Sequence, residues 1–338
     1  NLKKIYITPK IIFLTILYYK GNLFTAYNAS LLKIIKPKIV ITYIDNSPKF
    51  HSLAKIFKDK INFLAIQNAA RYDLEVCDYL KEKKIDFYDY KNFFIPNFFC
   101  FGQYEIDYYK RKNVKVLNFK KIGSLRTSNF RRKVDIHSIK EKYDICLVCD
   151  AAFDFDTFFK LKGFEEGFAK VVKFTIKFCK ENNLKLVFPM KRYIASDKNN
   201  EIYFFKKNLD KEEFDYVINN SFEKRSENKN SSYQKLCESN VTIACCTTML
   251  REALSLKKKI MVCNFSPTNI YDFPQEDFFL KNPSYEKFKK KLKEILSLNE
   301  KEYFDILGIN KDYIIEDSSK VDANDEVNSY INQVLKKI

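Results

Sequence analysis

The sequence predicts an α/β protein of two doubly wound domains facing a cleft. Three observations lead there. Strand-like and helix-like segments alternate along most of the chain, and the strand-like runs of the second half are almost wholly apolar. At 338 residues, 46% of them apolar, the chain exceeds one hydrophobic core and can fill two. We place an N-terminal Rossmann-like domain at 1–130 and a second at 140–320. A final helix over 321–338 is expected to pack back on the first.

The elements are read in order. Lys38–Ile44 is β-rich and ends at Asp45-Asn46-Ser47-Pro48, which is turn and N-cap chemistry. A helix to about Lys58 follows, with Leu53, Ile56 and Phe57 on its buried face. Ile61–Ile66 is the next strand, and Asp73 caps a helix through about Lys83. Phe98–Phe101 is a strand, Gly102 turns the chain, Tyr104–Arg111 is helical and Val114–Leu117 extended. The polar stretch Gly123–Lys142 lacks periodicity and reads as the interdomain region. The alternation then restarts: strand Asp144–Cys149, helix from about Thr157 to Glu181, strands Leu184–Pro189 and Phe214–Ile218, and a short helix Tyr233–Glu238. Strand Val241–Cys245, helix Met249–Leu256 and strand Lys259–Cys263 come next, and helices Ser284–Leu296 and Asp322–Lys336 close the chain.

Composition narrows the partners. The formal charge is +17, but Lys far outnumbers Arg and the Asn, Ile, Phe and Tyr content is that of an AT-rich coding sequence. Arg131-Arg132-Lys133 is only a short run, so no nucleic-acid partner is expected. The 9 cysteines are odd in number and lie largely in apolar strand-like runs, which points to buried free thiols in a reducing, cytoplasmic compartment. Cys146-Leu-Val-Cys149 sits inside a strand pattern, without the helix N-terminus that redox chemistry uses. Only His51 and His137 are present, and a lone Asp154-Phe155-Asp156 arises easily by chance. No metal or other cofactor is therefore expected. The apolar run Ile11–Tyr19 is too short to span a bilayer, so membrane contact would be peripheral, on the anionic inner surface. The chain opens on Asn, as a fragment or a processed chain would.

In doubly wound sheets ligands bind beyond the carboxyl ends of the strands. Thr247 and Thr248 follow a buried strand and open a helix, where hydroxyls, free N–H groups and the positive dipole end suit a phosphate. Glu252, one turn on, could accept from ribose hydroxyls; plain capping is the structural alternative for all three. Ser266 follows the next strand in a second polar loop. Lys191 and Arg192 follow Pro189 and could neutralise a phosphate. On the acceptor side, Asp45 and His51 are candidate general bases. Gln67, Asn68, Arg71 and Ser124 are candidate acceptor ligands. Neither Gly-x-Gly-x-x-Gly nor a Walker A run is present.

The run Tyr233…Leu236-Cys237-Glu238-Ser239…Thr247-Thr248…Glu252-Ala253-Leu254…Lys258-Lys259-Ile260, then Asn264-Phe265 and Tyr271-Asp272-Phe273-Pro274, resembles the C-terminal half of the surface carbohydrate biosynthesis protein family. Ile44-Asp45-Asn46-Ser47, Ile66-Gln67-Asn68, Phe101-Gly102 and Ile122-Gly123-Ser124-Leu125-Arg126 keep that family's order over residues 39 to 308. The resemblance implies a metal-independent GT-B glycosyltransferase related to capsule polysaccharide transferases. It would move a sugar, by analogy a CMP-linked keto-acid sugar, from a nucleotide-sugar donor to a hydroxyl of a surface glycan or lipid-linked glycan. The alternatives are a CDP-alcohol transferase of teichoic-acid type and, from another class, a basic nucleic-acid or membrane-surface binding protein.

Overall fold

The computed structural model describes residues 7–71, 92–148, 163–190, 200–222, 231–245, 247–266, 279–307 and 310–336. The chain divides into two compact units. One comprises Asn1–Asn68, Tyr88–Ile122 and Ala323–Ile338, the other Ala69–Phe87 and Gly123–Asp322.

The first unit opens with a helical hairpin, α1 (Pro9–Tyr18) and α2 (Leu23–Ile35). Thr8 caps α1, its Oγ1 accepting from the Ile11 N–H, and Pro9 stands at the first helical position. Asn22 caps α2 in the same way through Thr25. Four parallel strands follow: β1 (Ile39–Thr42), β2 (Asn62–Ile66), β3 (Phe94–Cys100) and β4 (Lys115–Lys121), in the same order in space as in sequence. Helix α3 (Pro48–Phe57) joins β1 to β2, and α4 (Gln103–Arg111) joins β3 to β4. The C-terminal helix (Ala323–Lys336) belongs to this unit. Its Tyr330 meets Phe99 of β3 edge-on at 5.3 Å, and its Glu326 pairs with Lys120 of β4. On α3 the buried residues are Phe50, His51, Ala54 and Phe57, while Ile56 is exposed. This face is rotated from the expected one because Phe50 packs against Phe63 of β2, with ring centroids 5.5 Å apart.

The second unit begins with α5 (Leu125–Lys133) and one 3-10 turn (Ile136–Ser138). It continues through β5 (Tyr143–Leu147), α6 (Phe164–Asn182), β6 (Leu186–Pro189), α7 (Asn200–Asn208), α8 (Lys211–Asn219), β7 (Ser221–Phe222) and α9 (Ser231–Cys237). It ends with β8 (Ser239–Ala244), α10 (Thr248–Ser255), β9 (Lys259–Asn264), β10 (Phe279–Lys281), α11 (Tyr285–Ser297), α12 (Glu300–Leu307) and α13 (Asn310–Ile314). Its six strands are all parallel, in the order β10-β9-β8-β5-β6-β7. The order reverses beside β5: the chain steps outward through β6 and β7, then returns to the other side of β5 and steps through β8, β9 and β10. Strands β6, β8 and β9 are buried almost throughout, as strands covered on both faces must be.

Two expectations of secondary structure fail. Phe214–Ile218, read as a strand, lies inside α8, because Asp210 and Glu213 form a reciprocal capping box that starts a helix at Lys211. Gly123–Lys142, read as a connector, contains α5, whose buried side includes Thr127 and Ser128 rather than an apolar stripe. The unit boundary accordingly falls at Ile122/Gly123. The cysteines Cys100, Cys146, Cys179, Cys237, Cys245 and Cys263 are buried free thiols. Burial pushes the Cys179 and Cys237 thiols up to about 12, so they are inert at neutral pH.

Helix α6 reaches the loop after β9 through Gly167. A Cβ at this position would stand 2.6 Å from the Ser266 nitrogen and 2.8 Å from the Phe265 carbonyl carbon. Backbone atoms cannot swing aside as a side chain could. Gly167→Ala is expected to destabilise the second unit by about 1–3 kcal/mol, read as a lower urea midpoint.

Candidate functional site

The reversal of strand order beside β5 leaves a crevice position at the carboxyl ends of β5 and β8. Beyond β8 the chain passes Cys245 and reaches Thr247, which caps α10 with its Oγ1 accepting from the Met249 N–H at 3.3 Å. Thr248 opens the helix. Both threonines are half-buried. The Thr248 Oγ1 accepts from the Ala70 N–H at 3.0 Å, which ties residues 69–71 to the start of α10 within the second unit. This end of α10 combines two hydroxyls with the positive end of a helix dipole.

Glu252 has a different setting. It is fully buried, and both carboxylate oxygens accept from protein hydroxyls: Oε1 from Ser124 at 2.7 Å and Oε2 from Tyr233 at 2.8 Å. Burial pushes its carboxyl up from the ordinary value, against the opposing pull of Arg126 and the two hydroxyls. The Tyr233 phenol is raised as well, chiefly by burial. Thus Glu252 joins α10 to α5 and α9, and Ser124, expected among acceptor ligands, is its partner. Thr127 and Ser255 repeat the link one turn on, their hydroxyl oxygens 3.2 Å apart. Neither the Ser124 nor the Tyr233 contact was visible from spacing. The one signal was a carboxylate inside a short helix with Leu250, Ala253 and Leu254 about it.

Ser266 is also enclosed. Its N–H and its hydroxyl both donate to the Asn264 side-chain oxygen, at 3.1 and 2.6 Å, closing a turn at the end of β9. Lys191, Arg192, Asp154 and Asp156 lie outside the described residues.

In the first unit, Gln67 is buried and accepts from the Phe101 N–H at 2.8 Å, so it braces the ends of β2 and β3. Asn68 is half-buried; Arg71 is buried and counts with the second unit. Asp45 and His51 are brought close but enclosed. Asp45 has no exposed surface and accepts from the Tyr109 hydroxyl at 2.8 Å. His51 is 1% exposed and stacked on Phe93 with centroids 4.0 Å apart; its Nδ1–H donates to the Phe94 carbonyl at 3.2 Å. Burial holds the imidazole down at about 4, so it is neutral at pH 7. As described, neither group is open to an acceptor hydroxyl. The reason is tertiary: β3 and α4 close over the end of β1.

Superposition places this architecture among known ones. The Staphylococcus aureus MnaA–UDP co-structure aligns with a TM-score of 0.54 at 11% identity, over 98% of this chain and 82% of that one. The Neisseria meningitidis UDP-GlcNAc 2-epimerase bound to UDP-GlcNAc aligns at 0.52 and 14%, over 100% and 84%. The fold is GT-B. At these identities the likeness is one of GT-B fold and not of activity. The wall teichoic acid polymerase TagF, soaked with CDPG, superposes more loosely, at 0.49 and 11% over 94% and 77%. No protein-family model and no curated protein matches the chain.

Two outcomes are expected. An imidazole held at about 4 in the fold and near 6.5 when unfolded favours the folded state above pH 6.5. That stability, about 3 kcal/mol, is lost as the pH falls through 4. Acid denaturation of His51→Gln should lose this component, and NMR of the native imidazole should give a midpoint near 4. Glu252→Ala strands two buried hydroxyls and should cost about 2–4 kcal/mol in chemical denaturation.

Proposed function

We propose that this chain is a nucleotide-sugar-dependent glycosyltransferase of surface-glycan assembly, with the donor's phosphates held at the N-terminus of α10. The observation that carries the reading is the position of Thr247 and Thr248: two half-buried hydroxyls at the carboxyl end of β8, beside the point where the strand order reverses. An anionic group is the ligand that such a helix start favours most. The MnaA and UDP-GlcNAc 2-epimerase structures each contain a uridine nucleotide, which supports a nucleotide in this fold. Lys191 and Arg192, shortly beyond β6 in sequence, would add positive charge for the leaving nucleotide, so the proposal uses no metal. Glu252 is not assigned to the ribose, since Ser124 and Tyr233 occupy both its oxygens. Its part is to hold the start of α10 in place.

In the transfer, the bond from the anomeric carbon to the donor phosphate breaks, and one to the acceptor oxygen forms. The acceptor's proton passes to a base; Asp45 and His51 are enclosed and do not serve. The acceptor is a glycan, carried on a lipid at an anionic membrane. A CMP-linked keto-acid sugar is the donor we favour, from the sequence resemblance.

The test is calorimetry of the purified chain against CMP-, UDP-, GDP- and dTDP-linked sugars and CDP-glycerol. One sugar nucleotide should bind saturably, and Thr248→Val should weaken it at least about tenfold, near 1.4 kcal/mol. A CDP-glycerol response alone would replace the reading with a polyol-phosphate transferase. Isomerised donor without transfer would replace it with an epimerase, and no saturable binding by any donor would end it.

A further inference from the structure

We propose that the α1–α2 hairpin is a docking surface for an anionic lipid bilayer. The hairpin is held from within. Ile11, Leu14 and Thr15 of α1 face Ala26, Ala29 and Ser30 of α2, and the Thr15 and Ser30 hydroxyl oxygens lie 3.1 Å apart. Tyr18 turns in on Phe57 of α3, with centroids 5.8 Å apart. The outer side is largely exposed among the described residues. Phe13, Ile16 and Leu17 on α1, Tyr19 in the turn, and Leu23 and Phe24 at the start of α2 are each more than half exposed. Their spacing sets them along one side of α1 and around the hairpin tip. Gly21 in that turn has open space where a Cβ would stand. Scattered single exposures are ordinary in a water-facing protein; a run of six large side chains on one hairpin is not.

Charge selects the occupant. Lys10, Lys20, Lys33, Lys36 and Lys38 lie in or beside the hairpin, and Lys49 stands 3.7 Å over the Phe24 ring. Residues 1–44 contain no Asp or Glu, and Asp45 is buried. A second copy packed through the same hairpin would set lysines against lysines with no hairpin carboxylate to answer them, whereas a layer of anionic headgroups answers them all. The ten residues of α1 make about 15 Å, about half of a roughly 30 Å hydrocarbon layer. Among the described residues no helix is long and apolar enough to cross a membrane. The hairpin therefore lies in the interface, with its tip among the headgroups and upper acyl chains. The surface uses none of the groups about α10, so it stands or falls independently of the donor assignment.

The chain has no Trp, so Phe13→Trp gives a single reporter. On vesicles of phosphatidylglycerol and phosphatidylcholine its emission should shift to the blue. On phosphatidylcholine alone, binding should be at least about tenfold weaker, and added salt should weaken the anionic response. Ile16→Glu/Leu17→Glu, both at exposed positions and checked for native circular dichroism, should reduce co-sedimentation with anionic vesicles at least about tenfold. Nucleotide-induced melting shifts of that pair should match those of the parent. The proposal is overturned if the Phe13→Trp emission does not change on anionic vesicles, or if the glutamate pair sediments like the parent. It is equally overturned if light scattering shows a dimer that the pair converts to monomer, which would give the face to a second copy.

Discussion

Three helices of the second unit meet on the carboxylate of Glu252, which has no exposed surface. A buried acid is tolerated only where hydrogen bonds replace water, and here Ser124 and Tyr233 each supply one. The pairing sets the position of α10, because Glu252 sits one turn from its start and cannot shift along the axis without losing both donors. Thr247 and Thr248 are fixed by the same constraint. A polar network of this kind specifies one arrangement among several that apolar packing alone would accept. Its cost is that every member must stay satisfied.

Around that network the strands provide a rigid frame. β8 and β9 are buried along their lengths, so the strand ends are where polar side chains first become available. At β8 the polar residues are threonines at a helix start. At β9 Asn264 folds Ser266 back on itself. Equivalent positions on adjacent strands thus carry different chemistry, one half-open and the other closed into a turn. The first unit makes the same point: Asp45 follows a strand as a ligand-binding residue would, yet Tyr109 and the strand beside it take it into the core.

How much could be read in the sequence follows from whether the deciding contact is local. The mostly apolar runs that became β5, β8 and β9 were legible, because burial on both faces leaves little polar alternation. So were the caps of α3 and α10, each set by a residue adjacent to its helix. Phe214–Ile218 looked extended from its aromatic and β-branched content, and a capping box four residues upstream overrode it. α5 was hidden because its buried face carries Ser128 and Thr127, and the partner of Thr127, Ser255, is remote in sequence. Enclosure of Asp45, His51 and Glu252 was not legible at all, since the enclosing groups arrive from other elements. Of the α1–α2 hairpin only Ile11–Tyr19 was read, as too short to span a bilayer, although Thr8, Pro9 and Asn22 mark its helix starts.

The first unit is assembled from three separated stretches, the last of them the helix Ala323–Lys336. During synthesis every residue of the second unit has emerged before that helix does. The first sheet must meanwhile wait with the surface around Phe99 uncovered until Tyr330 arrives. Long-range closures of this kind are slow, and a waiting apolar face invites association. On the ribosome, the earlier-made lobe is therefore the one that matures last and the one a chaperone would have most reason to shelter.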